Sequence, residues 1–135
     1  MHLSQRCVYA IKALLDLAQA PAGQAVKIAA IAQRQNVPAK FLEAILGQLK
    51  GGGFVESRRG AEGGYLLARP AHGLTLGEVI RFVEGPLHPV KDADGDPVLA
   101  PIWRAAEQAL SDVYDGVTFR ELAERCQQPP LDFVI

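Results

Sequence analysis

After Ser4, apolar residues recur at Cys7, Val8, Ile11, Leu14, Leu15 and Ala18. Spacings of three and four predict an amphipathic helix with Ser4 as its N-cap, and Pro21 and Gly23 end it. A short second helix fits KIAAIAQRQ, with Ile28, Ile31 and Ala32 turned inward, and NVPAK supplies a turn. The third fits AKFLEAILGQLKGG: Phe41, Leu42, Ile45, Leu46 and Leu49 form its buried stripe, Lys40, Glu43, Gly47 and Gln48 lie off it, and Gly51, Gly52 and Gly53 terminate it. FVESR and GYLLAR then have strand composition, and RGAEG between them has the glycines of a tight reversal.

The order helix, helix, helix, hairpin predicts a mainly α fold with a small β-hairpin, a winged helix-turn-helix, over residues 1–70. Residues 71–135 predict a separate helical region. LTLGEVIRFVEG gives a fourth helix, in which Thr75 and Glu78 have capping-box spacing. HPVKDADGDPV is a polar loop. Beyond it Leu99, Ile102, Trp103, Ala106, Leu110 and Val113 recur at three and four residues, with Pro101 near the helix start. TFRELAERC predicts a last helix packed alongside that one, leaving QQPPLDFVI as a tail.

Composition changes this picture little. With 135 residues, 49% of them hydrophobic and 21% charged, the chain suits one compact domain or a domain with a helical extension. Its apolar runs fall short of the ~20 residues that cross a bilayer. Arg6, Lys12 and Asp16 interrupt the N-terminus, unlike a signal peptide, so a cytoplasmic protein is expected.

Charge changes it more. The net charge of −1 conceals a division after Pro70: nine Lys/Arg against four Asp/Glu before it, a surplus of +5, and five against eleven after it, a balance of −6. A basic half is the electrostatic footprint of a nucleic-acid surface, because neutralising phosphates releases counterions. Two solvated faces of opposite sign are the alternative at this point.

Enzyme chemistry finds no footing. RRGAEGGYLL lacks the spacing of a P-loop or a dinucleotide fingerprint and leads into a strand rather than a helix. His2, His72 and His88 have no spacing that suggests a catalytic dyad, so no catalytic residue is expected. Cys7 and Cys126 lie far apart and form no C-x-x-C pair.

LSQRCVYAIKALLDLA, the continuous stretch from IAAIAQRQ through RRGAEGGYLLARP, and LTLGEVIRFVEGPL together resemble the bacterial Rrf-two (Rrf2) family of winged-helix transcription regulators. The resemblance runs through residues 1–87 and more loosely beyond. It implies a homodimeric DNA-binding repressor or activator whose long C-terminal helix, carrying Leu99, Ile102, Trp103, Ala106, Leu110 and Val113, pairs with its counterpart across a two-fold axis. Two recognition helices would then stand about 34 Å apart over a roughly palindromic site in double-stranded DNA.

Within that reading Ala39, Lys40 and Glu43 open the exposed face of the recognition helix. Lys40 reaches a phosphate or guanine; the resemblance implies that Glu43 reads a base, for instance a cytosine amino group, with pairing to Lys40 or another cation as its alternative. Arg58 and Arg59 in the wing suit a minor groove or phosphates, and Gly60, Gly63 and Gly64 let backbone approach the sugar-phosphate chain. Ser4 and Arg6 add phosphate contacts at the start of the first helix; Tyr9 either donates to a phosphate or packs its ring.

Members of the family that hold an iron-sulfur cluster use three cysteines between the fourth and fifth helices. Residues 85–98 contain none, so neither a cluster nor another metal is expected. His88, Asp92, Asp94 and Asp96 offer donors, but DADGD lacks the register of a calcium loop. Cys7 is either a packing residue or a redox switch beside the DNA-binding unit. The effector is left open, including a small ligand walled by Trp103. So is a second class of function, a winged-helix protein-interaction module without DNA binding.

Overall fold

The computed structural model describes residues 2–91 and 95–128. Asp92, Asp94 and the tail from residue 129 onward lie outside the described residues. The chain forms α1 (Gln5–Gln19), α2 (Ile28–Gln35), α3 (Ala39–Gly51), β1 (Val55–Arg58), β2 (Gly64–Leu67), α4 (Leu76–Glu84), α5 (Ala100–Asp115) and α6 (Phe119–Cys126).

Local chemistry sets the ends of these elements. The Ser4 hydroxyl accepts a hydrogen bond from the Cys7 amide at 3.1 Å, satisfying a donor that the first turn of α1 leaves open. Asn36 takes a left-handed conformation after α2, and Gly53 does so after α3. Thr75 caps α4 through the Glu78 amide at 3.2 Å, and Thr118 caps α6 through the Glu121 amide at 3.2 Å. The reciprocal half of the capping box is missing at Thr75, because the Glu78 carboxylate pairs with Arg69 instead.

The main core is built on α1, and Cys7, Ile80 and Leu87 form a smaller cluster beside it. Ala10, Ala13, Leu14 and Leu17 pack with Ile31 of α2 and with Leu42, Ile45, Leu46 and Leu49 of α3. The main core also takes in Leu74, Val79 of α4 and Phe119 of α6. The expected division after Pro70 therefore does not separate two cores. Phe119 is fully buried, which contributes about 2–3 kcal/mol, and its amide donates to the Leu74 carbonyl at 3.0 Å. In consequence α6 packs into the α1 core rather than alongside α5 as expected.

Asp16 is the buried charge of this core. Arg34 grips it with two hydrogen bonds, at 2.9 and 2.7 Å, and Gln35 adds a third at 3.2 Å, which pins α2 to α1.

The hairpin pairs Val55 with Leu67, Glu56 with Leu66, Ser57 with Tyr65 and Arg58 with Gly64. A third segment joins it. Val26, in the α1–α2 connection, exchanges backbone hydrogen bonds with Tyr65 at 2.7 and 2.8 Å. Through that bridge the wing is fastened to the base of the helix-turn-helix.

Candidate nucleic-acid interface

Leu42, Ile45, Leu46 and Leu49 turn α3 toward the core, which leaves Ala39, Lys40, Glu43, Ala44 and Gly47 exposed along its opposite side. Neither Lys40 nor Glu43 has a hydrogen-bonding or ionic partner among the described residues. The expected burial of Phe41 does not hold: its side chain is 46% exposed. It sits at the margin of the stripe, on the first turn, where Tyr9 of α1 stands against it, ring centroids 6.2 Å apart, while Lys40 places its ammonium 5.2 Å from the ring centre.

The start of α1 lies beside this turn. Ser4, expected to meet a phosphate, is engaged within the chain. Its hydroxyl donates to the Glu84 carboxylate, and its amide donates to the same oxygen at 2.9 Å. Glu84 thus occupies the helix N-terminus where an anion was expected, and those hydrogen bonds hold its carboxyl below the ordinary range. Arg6 is exposed next to it. The Tyr9 hydroxyl accepts from the Gln5 amide at 2.7 Å, so its own proton is left to donate. Gln5, Arg6, Tyr9, Phe41, Ala44 and Ile45 together line a mostly apolar groove of about 260 Å³. Phe41 and Ala44 were not flagged in the sequence, since periodicity assigned one to the core and the other carries no functional group.

The two wing arginines part company. Arg58 donates to the Gly23 carbonyl at 2.7 Å and lies 4.0 Å from Glu56, so it ties the wing to the α1–α2 turn instead of projecting. Arg59 is exposed at the tip and has no polar partner among the described residues. Gly60 has a φ of +102° with open space on its side-chain side, as a reversal requires. The roles expected of Gly63 and Gly64 are corrected. Gly63 is buried, and a Cβ on it would collide with the Arg58 and Gly60 carbonyls; one on Gly64 would collide with the Val26 backbone. These two glycines let the wing close on its own chain.

On α5 the predicted stripe is present but uncovered. Leu99, Ile102 and Val113 are 41%, 55% and 63% exposed, and Val98 just before the helix 73%. Trp103, Ala106 and Leu110 are half-buried. Arg81 of α4 holds this helix by a two-point bridge to Asp115, at 2.7 and 2.9 Å, and by a hydrogen bond to Ser111 at 3.1 Å. Gly77 leaves the room that the Asp115 carboxylate fills, and Arg81 holds that carboxyl below its usual range.

The donor set does not fit a cysteine-held cluster. The chain has two thiols: Cys7 is fully buried, and Cys126 is exposed at the end of α6. Burial and the nearby Glu84 carboxylate push the Cys7 thiol up to about 11, the reverse of what a thiolate ligand or redox switch needs. His88 is engaged with Glu107 at 2.8 Å, and Asp96 accepts from the Val98 and Leu99 amides. Among the described residues no three His, Cys, Asp or Glu side chains stand close enough together to hold a metal ion.

Known proteins share both the sequence and this architecture. The Rrf2 family, described as an iron-dependent transcriptional regulator, matches residues 3–125. A helix-turn-helix transcriptional regulator of Mycobacterium tuberculosis is 36% identical, covering 91% of this chain and 81% of its own length. The helix-turn-helix regulator CymR of Bacillus subtilis is 32% identical, covering 91% of this chain and 90% of that protein. The solved structure of CymR, the global cysteine regulator of B. subtilis, superposes with a TM-score of 0.85 at 31% identity over 93% of this chain and 98% of that one. IscR of T. potens superposes at 0.80, also at 31% identity, over 96% and 93%. With nearly its whole length matched in sequence and fold, the chain belongs to the Rrf2 family of transcriptional regulators.

Proposed function

We propose that the protein is a sequence-specific repressor that binds a roughly palindromic DNA site as a homodimer, in the cytoplasm and without a cysteine-held cluster. Its work is regulatory, with no catalytic step. The observation that carries this reading is the exposed side of α3, where Lys40 and Glu43 have no hydrogen-bonding or ionic partner among the described residues, beside a wing whose Arg59 likewise has none. Partnerless charges of both signs suit a polar surface with its own pattern of donors and acceptors, and the major groove offers one. The uncovered apolar side of α5 supports pairing of two copies.

A binding site selected from a random duplex pool, followed by affinity titrations at several salt concentrations, tests the reading. The logarithm of the binding constant is expected to fall linearly with the logarithm of salt, by about 0.9 for each phosphate neutralised. Preference for the selected site over random DNA should reach roughly a thousandfold. Affinity indifferent to salt, or no preference, would remove the DNA-binding reading and favour a protein-interaction module.

A further inference from the structure

The exposed side of α3 is poor in hydrogen-bonding groups. Lys40 and Glu43 are its polar side chains near the helix start, while Ala39, Ala44 and Gly47 bring no side-chain donor or acceptor to a base edge. Discrimination at the positions these residues face must come from shape and apolar contact. On the floor of the major groove the C5-methyl of thymine is the group that rewards such contact.

Resting on the DNA-binding reading above, we propose that Phe41, Tyr9 and Ala44 form a seat for a thymine methyl, making Phe41 a specificity-determining residue. The groove they line with Gln5, Arg6 and Ile45 holds about 260 Å³, ample for a methyl and the adjoining edge of a pyrimidine ring. Its position is continuous with the exposed side of α3, because Phe41 and Ala44 alternate along the helix with Lys40 and Glu43. Its rim matches a nucleotide rather than an apolar protein partner. Arg6 lines the groove, the Lys40 ammonium stands 5.2 Å from the centre of the Phe41 ring, and the Tyr9 hydroxyl keeps a proton to donate. A thymine methyl lies close to the anionic backbone of its own strand, so an apolar seat flanked by two cations and a donor suits both features together. Ala44 keeps the seat open; a larger side chain there would fill it.

The experiment replaces each thymine of the selected site, one at a time, by deoxyuracil, which removes the methyl and leaves every hydrogen-bonding group. With the unaltered protein, one position in each half-site is expected to lose affinity about three- to fivefold, the worth of one buried methyl. Phe41→Ala should bind the thymine site more weakly by a similar factor, show no further loss on uracil substitution, and keep the same salt slope. Phe41 is half exposed, so Phe41→Ala is expected to fold; Ala44→Leu, which fills the seat from the other side, gives an independent readout with the same loss of methyl sensitivity. Failure of the unaltered protein to select any site would overturn the DNA-binding reading and the seat with it. Selection of a site at which uracil costs nothing, or a methyl preference that survives both Phe41→Ala and Ala44→Leu, would overturn the seat and leave that reading standing.

Discussion

Cys7 has no exposed surface, and its thiol is pushed up to about 11, first by burial and then by the Glu84 carboxylate. Since the thiolate is the reactive form, Cys7 should be inert at neutral pH while the exposed Cys126 is not. Titration of the native protein with an aromatic disulfide at about pH 7.5 should release one equivalent of thiol quickly and the second only after denaturant is added; two fast equivalents would refute the assignment. The same proton affects stability. The fold keeps it up to about 11, whereas the unfolded chain releases it near 9.0, so the contribution is full below 9.0 and is lost as pH rises toward 11. Sequence showed Cys7 on an apolar stripe and left both roles open. What decided between them was complete burial, reinforced by Glu84, which the C-terminus of α4 brings to the start of α1. The N-cap role of Ser4 was legible because it is local; its hydrogen bonds to Glu84, 80 residues away, were not.

Among the elements, the wing shows how local and distant signals differ. Its two strands could be read from Val, Tyr and Leu around a glycine turn. The Val26 bridge could not, because one residue paired with Tyr65 has no alternation to reveal it. Arg58 and Arg59 are adjacent and alike in sequence, yet the Gly23 carbonyl takes one and leaves the other at the tip. Their substitutions should therefore act differently. Arg59→Ala is expected to weaken DNA binding across sequences and lower the salt slope by about 0.9, the signature of one lost phosphate contact. Arg58→Ala should leave that slope nearly unchanged and lower folding stability by about 1 kcal/mol, the worth of a solvent-screened hydrogen bond from a charged group. Binding titrations across salt, paired with thermal melts, separate the two. An equal drop in slope for Arg58→Ala would mean that Arg58 leaves Gly23 to meet the duplex.

At the scale of the whole molecule, the charge division of +5 and −6 does not coincide with a division of the fold. Leu74, Val79 and Phe119 complete the core of the basic half, so α4 and α6 belong to the same body as the recognition helix. What stands apart is α5, whose buried residues among those described come down to Ala100. Periodicity revealed its apolar stripe but had no means of telling whether the cover comes from the same chain; the fold leaves Leu99, Ile102 and Val113 bare while Arg81 fixes the helix in place through Asp115. Three large apolar side chains on α5 and its N-cap are a costly surface for a lone subunit and a good one for a second copy. A carboxylate at the centre of that surface would be desolvated and face its own symmetry mate. Ile102→Asp should accordingly sediment as a monomer at concentrations where the unaltered chain is a dimer, with an unchanged helical spectrum. Because the two recognition helices act as linked modules, the monomer should lose on the order of a hundredfold in affinity for a full palindrome, while binding to an isolated half-site changes little. An Ile102→Asp protein that remains dimeric would place the subunit contact elsewhere than α5.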